Sequence, residues 1–177
     1  WKQRWQTQRI GHNLVVVPSW LEHRAAPDDV ILRLDPGMAF GTGTHPSTQL
    51  CLEFLDQLLD ASAEPLPAFI DVGCGSGILS IAALKLGAKL ALGVDIDPEA
   101  LINARENALA NGLGPELILG VGSVREIQNG GFPIQTAPLV VANILAPVII
   151  HLLEDNLVDL LSTSGRLILA GILVSQE

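Results

Sequence analysis

The chain has 177 residues, 49% apolar and 16% charged, which describes one globular domain able to bury roughly 70% of its unfolded surface without disulfides or a structural metal. Its 19 acidic residues outnumber 10 basic ones, and unevenly: residues 1–34 carry five basic and three acidic groups, residues 35–177 five basic and sixteen acidic. Such an acidic body repels a phosphate backbone, so no direct nucleic-acid binding is expected, and a small molecule or a basic protein is the better partner.

Two unpatterned cysteines, Cys51 and Cys74, suit a reducing, cytoplasmic setting. The longest apolar stretch, 137–153, is interrupted by Pro138, Asn143, Pro147 and His151 and is short for a bilayer, so no membrane span is predicted. Residues 1–9 are basic and polar with no apolar run after them, unlike a signal peptide. The chain begins on Trp1 and not on Met, so a fragment or a trimmed chain is expected.

In chain order, residues 45–60 place Leu50, Leu52, Phe54, Leu55, Leu58 and Leu59 at helical spacing, and the Pro- and Ala-rich residues 62–67 link that helix to the first strand of the sheet. Residues 68–72 form that apolar strand, running into glycines, and 78–86 a helix stopped by Gly87. A second strand, 90–94, leads to Asp97-Pro98, an N-cap and first-turn proline for a helix ending near Asn111-Gly112. Three further strands are predicted at 116–121, 139–142 and 166–170, with an amphipathic helix over 147–161 before the last. Apolar strands alternating with helices imply an α/β fold, a Rossmann-like, doubly wound and mainly parallel sheet covered on both faces. The sequence shows no internal repeat.

Between the first strand of that series and its helix lies Asp71-Val-Gly-Cys-Gly-Ser-Gly77. Glycines at this position let the backbone approach a ligand, and the helix after them offers free N–H groups and the positive end of its dipole, so a nucleotide-type ligand is implied. The dinucleotide fingerprint G-x-G-x-x-G/A fails in both registers, because the third position is Ile78 when counted from Gly73 and Ser80 when counted from Gly75. The acidic Asp71 and the G-x-G-x-G spacing of Gly73, Gly75 and Gly77 resemble the S-adenosylmethionine-dependent methyltransferases instead.

Asp95 closes the second strand, where its carboxylate can accept both hydroxyls of an adenosine ribose, a role common to either cofactor. Asp97 reads as an N-cap and not as half of a metal or acid–base pair, and no metal site is predicted. Asn143 in Val140-Val-Ala-Asn-Ile-Leu-Ala-Pro147 falls at the carboxyl edge of the sheet. It either caps the helix near Pro147 or accepts a hydrogen bond from a substrate nitrogen and aims that atom's lone pair. The glycine-containing stretch Asp35-Pro-Gly-Met-Ala-Phe-Gly-Thr-Gly-Thr-His-Pro-Ser-Thr48 reads either as a surface loop or as a lid, with Phe40 covering a bound adenine or methionyl chain. His45 is a weak candidate for a base, since helix-start geometry beside Pro46 explains it, and Cys74 reads as a small filler residue.

Taken together, the loop 34–48, the Asp71 to Gly77 motif, Asp95-Ile-Asp-Pro98, Glu106-Asn-Ala, Asn111-Gly112 and Asn143-Ile-Leu-Ala146 resemble the bacterial methyltransferases of large-subunit ribosomal protein eleven, over about residues 9–172. The resemblance implies a class I S-adenosylmethionine-dependent protein N-methyltransferase acting on lysine ε-amines and an N-terminal α-amine of that ribosomal protein. It also implies cofactor contacts from Thr48, Gly73, Asp95 and Asn143, with Asn143 at the reacting centre, Gly75 and Gly77 shaping the loop, and a lid around Phe40 to His45. Residues 1–34 would be a linker and the N-terminal arm of the catalytic domain, and 35–177 the cofactor-binding domain. The family's last strands and its separate N-terminal recognition domain would lie outside this sequence. Ser47 stands where the family often has threonine. The remaining alternatives are a related methyltransferase acting on a glutamine side chain, an RNA base or a small metabolite, a nicotinamide dehydrogenase, and a non-catalytic nucleotide-binding module.

Overall fold

The structure, a computed structural model, describes residues 6–35, 45–59 and 64–172. No strand is foreseen from sequence before residue 68, yet three occur there. Gln8–Ile10 (β1) turns at Gly11 into Leu14–Pro18 (β2), an antiparallel pair, and Val30–Leu34 (β3) joins β2 in parallel. Every residue of β2 is buried. Pro46–Leu58 (α1) comes next, then Phe69–Val72 (β4), Ile78–Lys85 (α2), Ala91–Asp95 (β5), Pro98–Ala110 (α3) and Leu117–Val121 (β6). The chain continues through Val124–Gln128 (α4), Ala137–Asn143 (β7), Ala146–Glu154 (α5) and Leu161–Ala170 (β8).

The five strands β4 to β8 form one sheet in the order β6-β5-β4-β7-β8, all pairs parallel. Alternation along the strands divides the core in two. Phe69, Ala91, Leu117 and Leu139 face α1, α2 and the small β1–β3 sheet. Ile70, Leu92, Val94 and Val140 face α4, α5 and a 3-10 turn at Leu157–Leu160. This is the doubly wound architecture read from the alternation of strands and helices.

Two expectations are corrected and one element is added: the last strand, expected at 166–170, begins at Leu161. The single helix over 147–161 is divided, because Asn156 takes a left-handed conformation (φ 62°) that ends α5 before the 3-10 turn. The short α4 is absent from the sequence reading, although Ser123 and Glu126 make a reciprocal capping box at its start.

The small sheet is tied to the rest by a buried carboxylate. Asp56 on α1 accepts hydrogen bonds from the backbone N–H of His12 at 2.6 Å and of Asn13 at 3.2 Å, and from the Asn13 side-chain amide at 3.2 Å. Gly11, at φ 64°, is required beside it, since a Cβ there would meet the Asp56 carboxylate at 2.5 Å. Asp56→Ala strands the two backbone donors, and urea unfolding is expected to show a loss of about 2 kcal/mol; an unchanged midpoint would show that the β1–β2 turn does not depend on this anchor.

Candidate functional site

The segment joining β4 to α2 turns through three left-handed glycines, Gly73 (φ 76°), Gly75 (φ 53°) and Gly77 (φ 76°). At Gly73 a side chain is excluded twice over, by the backbone angle and by Ile144, whose Cγ2 would lie 2.7 Å from an added Cβ. The neighbouring strand holds this loop in place. Val94 of β5 accepts from the N–H groups of Gly73 (2.8 Å) and Cys74 (3.0 Å), and the Asp95 carboxylate accepts from Gly75 N at 2.9 Å.

The loop floors a cavity of about 310 Å³ at the carboxyl edge of the sheet. Of the residues picked out from sequence, Thr48, Gly73, Gly75, Asp95 and Asn143 line it together. Gly77 does not; it is the N-cap of α2, backed against Ala104 of α3. Phe40, and the proposed lid up to residue 44, lie outside the described residues. Missing from the sequence reading are Ile96, Ile144, Leu145 and Val148, which supply apolar wall. Of these, Ile96 is exposed at the rim.

Asp95 is already partly engaged: besides Gly75, its other oxygen accepts from Asp97 N at 3.0 Å. Asp97 is the N-cap of α3, accepting from Glu99 N at 2.9 Å. Asn143 does not cap α5, whose N-cap is Leu145. Its side-chain amide donates instead to the hydroxyl of buried Thr48 at 3.1 Å, which fixes the plane of the amide and leaves its oxygen as the acceptor. His45 is the N-cap of α1, where its Nδ1 accepts from Ser47 N at 3.3 Å and pairs with the Ser47 hydroxyl at 2.8 Å. Cys74 is buried in the loop, and burial with the negative charges of Asp71 and Asp95 pushes its thiol well above the ordinary range, which suppresses thiolate chemistry.

Asp71 has a role that sequence alone conceals. Because the N-cap of α2 is a glycine, that helix has no side-chain cap of its own. The carboxyl of Asp71 reaches its first turn from β4, accepting from the Ser80 hydroxyl at 2.9 Å. Burial nevertheless dominates and pushes the Asp71 carboxyl up to about 7, against which the Ser80 hydrogen bonds act and to which Asp95 adds.

A parallel sheet with a glycine loop after its central strand and a carboxylate ending the next one defines the cofactor-binding α/β class. Within that class the sequence matches, over residues 1–177, the profile of the family described as "Ribosomal protein L11 methyltransferase (PrmA)", and the chain belongs to that family. A ribosomal protein L11 methyltransferase of Pelobacter propionicus is 43% identical over 100% of this chain and 55% of its own length, and one of Azotobacter vinelandii 48% identical over 99% and 56%. The chain thus spans about half the length of these curated relatives. The crystal structure of a ribosomal protein L11 methylase from Lactobacillus delbrueckii subsp. bulgaricus superposes with a TM-score of 0.80 at 35% identity, over 97% of this chain and 82% of that one. A methyltransferase from Agrobacterium tumefaciens described as SAM-dependent, 19% identical with a TM-score of 0.59 over 72% of this chain and 45% of that one, shares the fold.

The raised carboxyl of Asp71 makes stability depend on pH with a definite sign. The folded protein binds this proton more tightly than the unfolded chain, whose aspartates titrate near 3.8. The group therefore costs nothing below about pH 4, becomes increasingly unfavourable as pH rises, and is fully unfavourable above about pH 7. Asp71→Asn removes that cost, so its stability relative to wild type is expected to grow by on the order of 2 kcal/mol or more between about pH 4 and pH 8 in urea unfolding; a difference independent of pH would refute the assignment.

Proposed function

We propose that the chain is the cofactor-binding and catalytic part of an S-adenosylmethionine-dependent protein N-methyltransferase whose substrate is ribosomal protein L11, acting in the cytoplasm. The observation that carries this reading is the convergence of Asp95, the glycine loop and the Thr48–Asn143 pair on one cavity. The names borne by its relatives support the substrate.

The donor set suits this cofactor. Parallel strands lie about 4.8 Å apart, so the ends of β5 and β7, separated by β4, are roughly 10 Å apart, enough for a ribose at Asp95 and an amino-acid tail reaching toward Asn143. Apolar side chains of Ile78, Leu79, Ile96 and Val148 line the space between and beside them. When bound, S-adenosylmethionine supplies a methyl group on a sulfonium, open to in-line displacement by an amine.

What the protein contributes is alignment and desolvation, not a covalent nucleophile. Asp95 keeps lone pairs for the ribose hydroxyls while anchoring Gly75, so one carboxylate fixes both loop and sugar. Asn143, held by Thr48, presents its oxygen to the N–H of an incoming amine and points the lone pair at the methyl group. A lysine amine has an unperturbed pKa of about 10.4 and must lose a proton first; the apolar wall around Ile144 and Leu145 disfavours the charged ammonium and promotes that loss. Among the described residues, no histidine lines the cavity.

Asp95→Ala is expected to weaken cofactor binding by roughly 1–3 kcal/mol, the scale of charge-assisted hydrogen bonds. Calorimetric titration of wild type and variant with S-adenosylhomocysteine and with NAD tests it; tight NAD binding without S-adenosylhomocysteine binding would overturn the proposal. For the substrate, radiolabelled S-adenosylmethionine with the full-length enzyme and a ribosomal-protein extract is expected to label L11, and label confined to another protein or to RNA would overturn that half.

A further inference from the structure

The helix α3 lies behind the glycine loop, and its sequence is fitted to that position. Ala104, fully buried, lets Gly77 approach: a Cβ on Gly77 would already sit 3.0 Å from the Ala104 methyl. One turn further on, Asn107 is 1% exposed, one of only six buried polar or charged side chains among the described residues. Burying an amide costs free energy unless its groups are matched, and here both ends are. Its nitrogen donates to the Ser76 carbonyl in the middle of the loop at 3.0 Å and to the Asn103 side chain at 3.0 Å, while its oxygen accepts from Asp35 N, just past β3, at 3.0 Å.

We propose that Asn107 is a positioning residue for the cofactor: by binding the Ser76 carbonyl it sets the arc of the glycine loop between Gly75 and Gly77. The inference rests on the cofactor reading above. Asp95 holds the loop through Gly75 N, and Asn107 holds it one residue on through Ser76 O, so Gly75, which lines the cavity, is fixed directly by one and through the next peptide by the other. The bond from Asp35 uses the other end of the same amide, so Asn107 also orients its own nitrogen against a fixed backbone donor. Asn111, one turn on, supplies an internal comparison. It makes a similar two-ended contact, accepting from Arg33 N at 2.9 Å and donating to Arg33 O at 2.6 Å, but to β3 and not to the loop.

The test is a titration of the intact protein with S-adenosylhomocysteine alongside thermal unfolding, for wild type, Asn107→Ala, Asn107→Asp and Asn111→Ala. Asn107→Asp keeps the shape and the acceptor for Asp35 N but sets a carboxylate against the Ser76 and Asn103 oxygens, so it repels the loop carbonyl where Asn107→Ala only releases it, and the thermal unfolding run beside each titration separates lost binding from lost fold. Both Asn107 variants are expected to weaken binding by about five- to tenfold, the worth of one hydrogen bond. Asn111→Ala is expected to lower the melting temperature and leave the dissociation constant within about twofold. Wild-type affinity in the Asn107→Asp protein, or an equal loss of affinity in Asn111→Ala, would overturn the inference by showing that α3 acts only through stability. Wild type failing to bind S-adenosylhomocysteine at all would instead sink the cofactor reading on which it rests.

Discussion

A backbone that turns left-handed three times in five residues, at Gly73, Gly75 and Gly77, is the constraint on which the site depends. Within itself such a loop has one turn hydrogen bond, Gly77 N to Cys74 O at 2.9 Å, and little else, because glycine loses more freedom on folding than any other residue and brings no side chain to pack. Most of the groups that fix it come from outside. Val94 and Asp95 take three of its N–H groups from β5, and Asn107 donates to one of its carbonyls from α3. Asp71 accepts from the Ser80 hydroxyl in the first turn of the helix that leaves it. The parallel order β5-β4-β7 is thus more than a scaffold, since it brings β5 and β7 up on either side of a segment that could not order itself.

Two aspartates near this loop have opposite environments and different work. Asp71 is fully buried and shares its carboxyl with the first turn of α2, where desolvation outweighs the hydrogen bonds it accepts. Asp95 stands half-buried at the strand end with its oxygens turned to backbone N–H groups and to the cavity. The first is an architectural acid held at the back of the loop. The second faces the space where a polar ligand would sit, and its charge is one of the causes that lift Asp71.

How far the sequence discloses this depends on the range of the interaction. Four strands of the main sheet are short, mostly apolar runs whose alternation with helices is local information, whereas β8 shows only its apolar second half, since Ser162 to Gly165 carry no strand pattern. Thr48, Gly73, Gly75, Asp95 and Asn143 are likewise marked by their position at strand ends or helix starts, and the structure gathers them on one cavity. The β1–β3 sheet is less legible, although Leu14-Val-Val-Val17 is a β-branched run, because β1 has three residues and β3 is interrupted by Arg33. Arg33 is accommodated in a strand since its guanidinium reaches the Leu21 carbonyl at 3.3 Å, a partner no local pattern announces. The break at Asn156 is equally hidden: its apolar spacing continues across 147–161, and only the left-handed backbone divides it. Asp71 as a partner of Ser80 on α2, and Asn107 as a support for the loop, join residues nine and thirty-one positions apart, respectively. Periodicity cannot report contacts of that kind.

Long-range contacts also tie the small sheet, which does not line the cavity, to one helix that does and to another that holds the glycine loop. The helix α1 carries Asp56 near its end and Thr48 at its start. Asp56 grips the β1–β2 turn, and Thr48 grips the amide of Asn143. A rigid helix with both ends engaged transmits the position of one to the other, about 12 Å apart at 1.5 Å per residue. At the opposite edge, Asn107 and Asn111 of α3 fasten the end of β3 at Asp35 and Arg33. The β1–β3 sheet is therefore held by the two helices that also support the two halves of the cavity, Asn143 through α1 and the glycine loop through α3. Its Leu14, Val16 and Leu32 share one apolar core with Leu52 and Leu55 of α1 and Ala108 of α3, so the helices that carry Thr48 and Asn107 are packed on the same close-packed interior.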